Sequence, residues 1–328
     1  MKDKKTVIKV KNLTKRFAAS MAVDGISFEA QRGETLGFLG PNGAGKTTTM
    51  RILAGYLAAT DGSVQIDGLD VLEHAYEVRK RIGYLPEHVP LYPEMRVDEY
   101  LQFRGRLKGL SRRRLRNRAD EVKSLCGLHN VAGRIIGHLS RGYHQRIGLA
   151  DALIHEPELL LLDEPSIGLD PNQIRNMRDL IKTLGQKHTV VISTHHLSEA
   201  EMLCEKVLIL NHGRIVAADA PAVLTSLFKN KTVIAAEIAA PRQEASAILR
   251  SLPGVAGVIA GPCREQDEEP GREWNNYIIE CTPDSDPRSE ISAEVARRGW
   301  ALRELILEKK KLEDVFAEIT GNVRMNMQ

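Results

Sequence analysis

The sequence predicts an α/β protein built on a mainly parallel core sheet, with a helical insert and a smaller α+β unit after it. Three observations carry this. From Thr6 to about Ala218, short β-branched or leucine-rich runs alternate with helical patterns. Within that stretch, a glycine-rich G-x-x-x-x-G-K-[ST] turn falls where a strand pattern hands over to a helix pattern. After Val223 the texture shifts to the order βαββαβ plus one helix, which reads as a ferredoxin-like unit.

At 328 residues, 42% of them hydrophobic and 27% charged, the chain is long enough for about two domains, each with a full core. We place the first at 1–224 and the second at 225–328. Glu34–Leu39, Glu158–Leu162, Thr189–Ser193 and Lys206–Leu210 read as strands. A helical subdomain is expected at about 90–155, because Tyr100–Arg118 is rich in helix formers. That segment holds Arg104, Arg106, Lys108, Arg112, Arg113, Arg114, Arg116 and Arg118 with no acid. A solvated helical face explains such a run; phospholipid headgroups or an acidic partner surface are the functional readings, with Phe103 the one aromatic among the arginines.

In the second unit, strands are expected at Lys231–Ile238, Val255–Ala260, Trp274–Cys281 and Trp300–Ile306. Helices are expected at Arg242–Leu252, Arg288–Arg298 and Leu312–Ile319, and Cys263–Arg272 is an acidic, turn-rich connection.

A net charge of +3 is too small to argue for a nucleic-acid partner. The amino terminus lacks an apolar leader core and no run of about 18 apolar residues occurs, so the chain is expected to be neither secreted nor membrane-spanning. Cys126, Cys204, Cys263 and Cys281 are too few and too scattered for a disulfide framework or a zinc knuckle, and read as reduced cytoplasmic thiols.

The chemistry concentrates in a few places. In Gly40-Pro41-Asn42-Gly43-Ala44-Gly45-Lys46-Thr47-Thr48 the glycines let the backbone wrap closely, so successive N–H groups and the helix start face phosphates. Lys46 adds a cation for the β- and γ-phosphates, and the Thr47 hydroxyl is placed for Mg²⁺. Leu159-Leu160-Leu161-Leu162 is a buried strand ending in Asp163-Glu164. Asp163 can serve Mg²⁺ through a water, and Glu164 can act as general base on a water in line with the γ-phosphate. Ser140 and Gly142 open a helix and form a second anion site or, more simply, an N-cap. His195 and His196 lack a third partner at ligand spacing, which disfavours a metal there.

The stretch Leu139-Ser140-Arg141-Gly142-Tyr143-His144-Gln145-Arg146 resembles the signature of ATP-binding cassettes, with Arg141 and Tyr143 in place of the commoner Gly and Gln. Ser166-Ile167-Gly168-Leu169-Asp170-Pro171 resembles their D-loop, and Ser193-Thr194-His195 their switch-histidine strand end. Gly83-Tyr84-Leu85-Pro86-Glu87, running to Leu91-Tyr92, and the ending Leu312–Gly321 look like gliding-motility-type and related second-type exporter ATPases. The resemblance covers roughly Lys9 to Leu224.

It implies a phosphate-loop ATPase core that uses ATP and Mg²⁺. Phe17 would stack under adenine, Glu87 would stand where many cassettes have a magnesium-binding glutamine, and His195 would sense the γ-phosphate. Ser140, Gly142 and Gln145 would face ATP held by a second copy or a related ATPase, with Asp170 linking the two sites. Work would then pass to a separate polytopic membrane permease, placing the chain at the cytoplasmic face of the membrane, with export favoured. The rival is a soluble cassette acting on nucleic acid or ribosomes; one phosphate loop and no coiled-coil insertion oppose it.

Overall fold

The computed structural model describes residues 5–18, 20–227, 233–261, 274–282 and 285–308. Their contacts divide the chain into two units, Met1–Pro221 and Ala222–Gln328.

The first unit opens with two long antiparallel strands, β1 (Thr6–Phe17) and β2 (Ser20–Gln31). Then β3 (Thr35–Leu39), buried throughout, delivers the chain to α1 (Lys46–Leu53). β4 (Asp61–Ile66) and the short β5 (Leu69–Asp70) join β1 and β2 in one antiparallel sheet, order β2-β1-β4-β5. Sequence alternation did not separate this sheet from the parallel one.

Next come α2 (Ala75–Arg81) and β6 (Ile82–Leu85), followed by α3 (Val97–Leu107), α4 (Arg112–Cys126) and α5 (Arg141–Leu153). The arginine-rich segment is therefore two helices. Gly109, at φ +80°, breaks it where a side chain would be strained. β7 (Leu159–Asp163), α6 (Pro171–Gly185), β8 (Thr189–Thr194), α7 (Leu197–Leu203), β9 (Lys206–Asn211) and β10 (Arg214–Asp219) complete the unit.

The second sheet runs β10-β9-β3-β8-β7-β6, parallel except at the β10 edge. Leu159 to Leu162 are wholly buried in β7, between β8 and β6, where each leucine contributes about 1.5–3 kcal/mol by leaving water. One continuous core joins both sheets through Phe28 and Phe38, whose rings meet edge to face 5.3 Å apart.

α8 (Pro221–Leu227) spans the division between the units. The second unit is β11 (Val233–Ala239), α9 (Arg242–Ser251), β12 (Val255–Gly261), β13 (Trp274–Cys281), α10 (Arg288–Arg297) and β14 (Ala301–Glu308). Its sheet order, β12-β13-β11-β14 with every pair antiparallel, is that of the ferredoxin-like fold. Ile234, Ile238, Leu249, Tyr277, Ile279 and Ile291 form its core.

The acidic connection with Cys263 and the ending from Leu312 to Gly321 lie outside the described residues. Cys126, Cys204 and Cys281 are buried free thiols, and burial pushes the first two up to about 12. Among the described residues no helix is long and apolar enough to cross a membrane.

Candidate active site

The carboxyl ends of β3, β7 and β8 lie side by side in the parallel sheet, so the loops leaving them share one edge. A cleft of about 680 Å³ there is lined by Pro41 to Thr48, Phe17, Glu87, Glu164 and His195. Ligand sites outside the carboxyl ends of such strands are the rule for open α/β sheets.

The phosphate loop is shaped by its glycines. Gly43 and Gly45 take φ of +81° and +99°, and a Cβ on Gly45 would lie 2.5 Å from the Ala22 carbonyl oxygen. A Cβ on Gly40 would lie 2.4 Å from the Leu210 carbonyl oxygen. The loop thus packs against β9 at a distance only glycine permits. Its end is the start of α1, with Gly45 as N-cap and Lys46 to Thr48 in the first turn.

Lys46 is buried. Its Nζ donates to the Gly40 carbonyl at 2.7 Å and sits 3.3 Å from Glu164 Oε1. Glu164 is 6% exposed and takes φ +49°, a left-handed conformation costly for a residue with a side chain. Its N–H holds that bend by donating to both the carbonyl and the Oγ of Ser193. His195 Nδ1 lies 2.8 Å from Glu164 Oε2, and the His195 ring rests on His196 at 4.1 Å.

Asp163 is fully buried. Its Oδ1 accepts the Thr47 hydroxyl at 3.2 Å and the Ser193 hydroxyl, while Oδ2 has no hydrogen-bond partner. Burial holds this carboxyl above the ordinary aspartate range, against the hydrogen bonds from Ser193 and Thr47 that favour its ionised form. The charges of Glu164 and Glu87 push in the same direction as burial.

Phe17 ends β1 and is 47% exposed with Lys15 Nζ 5.1 Å from its ring centroid, so it is a wall of the cleft rather than a core residue. Glu87 reaches the same cleft from the segment after β6.

The remaining sequence-predicted residues lie elsewhere. Ser140, the N-cap of α5, and Gly142 line a separate hollow of about 230 Å³ with Tyr143, Arg146 and Gln173. Gln145 is not with them. It is buried, and its Nε2 donates to the Glu87 carbonyl at 3.2 Å, because five residues along a helix turn it about 140° from Ser140. Asp170 caps α6 through the Gln173 N–H at 2.9 Å. Arg141 lies over the turn after β7, where a Cβ on Gly168 would come within 2.6 Å of its guanidinium.

Sequence reasoning gave no role to Ser193, which joins Asp163 to Glu164; a serine at a strand end carries no distinguishing signal. It also missed Ser20, Met21 and Ala22, brought into the cleft by the β1–β2 hairpin.

Comparison with known proteins bears on the family of this chain. Residues 23–167 match the ABC transporter family model. Over 316 residues the chain is 32% identical to the linearmycin resistance ATP-binding protein LnrL of Bacillus subtilis (strain 168), covering 96% of this chain and 98% of that one. The chain belongs to the ABC transporter ATP-binding proteins. This ABC protein is also 39% identical over 213 residues to the bacitracin transport ATP-binding protein BcrA of Bacillus licheniformis, 64% of this chain and 69% of that one. A dimeric ATP-binding cassette captured after hydrolysis with ADP and phosphate superposes with a TM-score of 0.60 at 26% identity, covering 65% of this chain and 98% of that one. The ABC core binds ATP and is an ATPase.

Proposed function

We propose that this chain is the ATP-hydrolysing subunit of an exporter, in which two copies, or this chain and a related ATPase, close over ATP and drive a separate polytopic permease. The relatives named for linearmycin resistance and bacitracin transport support export. The observation that carries the catalytic part is Glu164, fixed between Lys46 and His195 at the mouth of the phosphate loop.

In this reading Gly40 to Thr48 wrap the phosphates with backbone N–H groups, and Phe17 offers a flat face to the adenine. Lys46, now on the Gly40 carbonyl and Glu164, turns its ammonium to the β- and γ-phosphates. Glu164, released from Lys46 and oriented by His195, accepts a proton from the water that attacks the γ-phosphorus as the bond to the β-phosphate oxygen breaks. His195 adds a donor near the transferring phosphoryl group. Ser140 and Gly142 face the ATP of the other copy, and Asp170 stands at the seam between them. Gln145 supports that surface from behind.

The oxygens present suit Mg²⁺. Asp163 has a buried carboxylate oxygen with no partner beside the Thr47 hydroxyl, a hard donor set; Thr47 and Asp163 would hold the ion, with Glu87 alongside. When bound, it would offset phosphate charge. The chain would work at the cytoplasmic face of the membrane, held by its permease.

Glu164→Gln tests the reading, because the amide keeps the shape and cannot take a proton. It should bind MgATP, lose turnover and accumulate as a dimer by light scattering. Monomers alone in MgATP, with wild-type turnover, overturn it.

A further inference from the structure

The α3–α4 segment carries charge that the fold does not use. Over residues 97–126, nine Lys or Arg stand against four Asp or Glu. Part of that excess is structural: Arg104 and Lys108 hold Asp151, Arg114 and Arg118 hold Glu156, and Lys123 holds Asp98. Arg118 also pairs with Glu121. Arg106, Arg112, Arg113 and Arg116 are exposed, and among the described residues no carboxylate lies within ion-pair distance of them.

Three of these converge. Arg106 from α3 and Arg112 and Arg116 from α4 line one cleft of about 900 Å³, with the Gln102 and Asn117 amides beside them. Its acids are answered internally: Asp98 and Asp120 by Lys123, Glu121 by Arg118. Next to Arg106, Leu107 is 63% exposed, and Phe103 one turn earlier is partly exposed. Guanidinium forks grip phosphate in pairs, and exposed leucine and phenylalanine beside them suit the headgroup–acyl boundary.

We infer that the α3–α4 cleft is a docking surface for the phosphate headgroups of anionic phospholipids, so that this subunit touches the bilayer directly as well as through a permease. Membership of a transporter family supplies the bilayer; the unpaired guanidiniums supply the complementarity. Nucleic acid fits less well, since among the described residues no aromatic side chain lines the cleft to stack a base.

Co-sedimentation of the purified full-length chain with vesicles tests this. Binding is expected to phosphatidylcholine vesicles containing phosphatidylglycerol and not to phosphatidylcholine alone, weakening as salt rises. Arg106→Gln/Arg112→Gln/Arg116→Gln, all at exposed positions, should lower the partition on the order of 100-fold with ATP turnover unchanged. Leu107→Ser, which leaves the charge of the surface unchanged, should lower it as well. Equal binding to both vesicles, wild-type binding by the triple variant, or displacement by duplex DNA at matched phosphate overturns the inference.

Discussion

His195 Nδ1 and Glu164 Oε2 stand 2.8 Å apart just past the ends of two adjacent strands, and in the proposed mechanism the histidine aims the carboxylate. Removing the ring should leave the phosphate loop intact. His195→Ala is expected to cut turnover about 100-fold, because Glu164, whose positioned proton transfer is worth about 100-fold or more, loses the ring that holds it, with ATP affinity nearly unchanged. Steady-state turnover and nucleotide titration on one preparation check it.

Lys46 lies under the phosphate loop, 5% exposed, within reach of two carbonyls and one carboxylate. Lys46→Ala should weaken ATP binding by about 1.5–3 kcal/mol, the contribution of a charge-assisted contact, and abolish turnover. Equilibrium titration with a fluorescent ATP analogue reads the first; phosphate release reads the second.

A methyl group at position 40 has nowhere to go, because the atom it meets is the Leu210 backbone carbonyl. Gly40→Ala is expected to cost about 1–3 kcal/mol of stability through overpacking, and to reduce ATP affinity because the loop must shift away from β9. Urea unfolding and ATP titration measure the two together.

Asp163 carries a cost that the free protein bears. Its carboxyl is raised above the ordinary range, so the folded chain binds the proton more tightly than the unfolded chain. Stability from this group is therefore present below the unfolded value near 3.8 and is lost as pH rises through the higher folded value. Asp163→Asn should raise the melting midpoint at neutral pH, with the gain shrinking in acid, while turnover is lost. Thermal melts across pH without nucleotide check it; an unchanged midpoint at neutral pH contradicts it.

Every residue proposed to face phosphate precedes the second unit. A chain ending at Lys229 should therefore still bind ATP. Titration of the truncated protein, once shown monodisperse, decides it; a soluble truncation that cannot bind places part of the ATPase fold in the deleted region.

What could be read in advance follows physical lines. The buried strand Leu159–Asp163 and the phosphate loop were legible because an apolar run and a glycine pattern each have one economical conformation. The β1–β2 hairpin was not. Its turn holds Ala18 at φ +44°, a residue with no preference for that region, and β1 needs register shifts to follow β2. Gln145 illustrates the other limit: its place in a signature-like run says nothing about which side of α5 meets solvent, and burial settled it. Asp170 was visible as an acid before a proline, but its bond to the Gln173 N–H makes it first a helix cap.

The Gln145 bond to the Glu87 carbonyl makes one residue common property of two machines. The side chain of Glu87 looks into the nucleotide cleft, and its main chain is fastened to the helix that presents Ser140 and Gly142. If a ligand in the cleft displaced Glu87, the shift would either stretch that hydrogen bond or carry α5 with it. In such a linkage a short, directional bond with its donor end buried would act as a pushrod, with one end in each chamber and little slack between them.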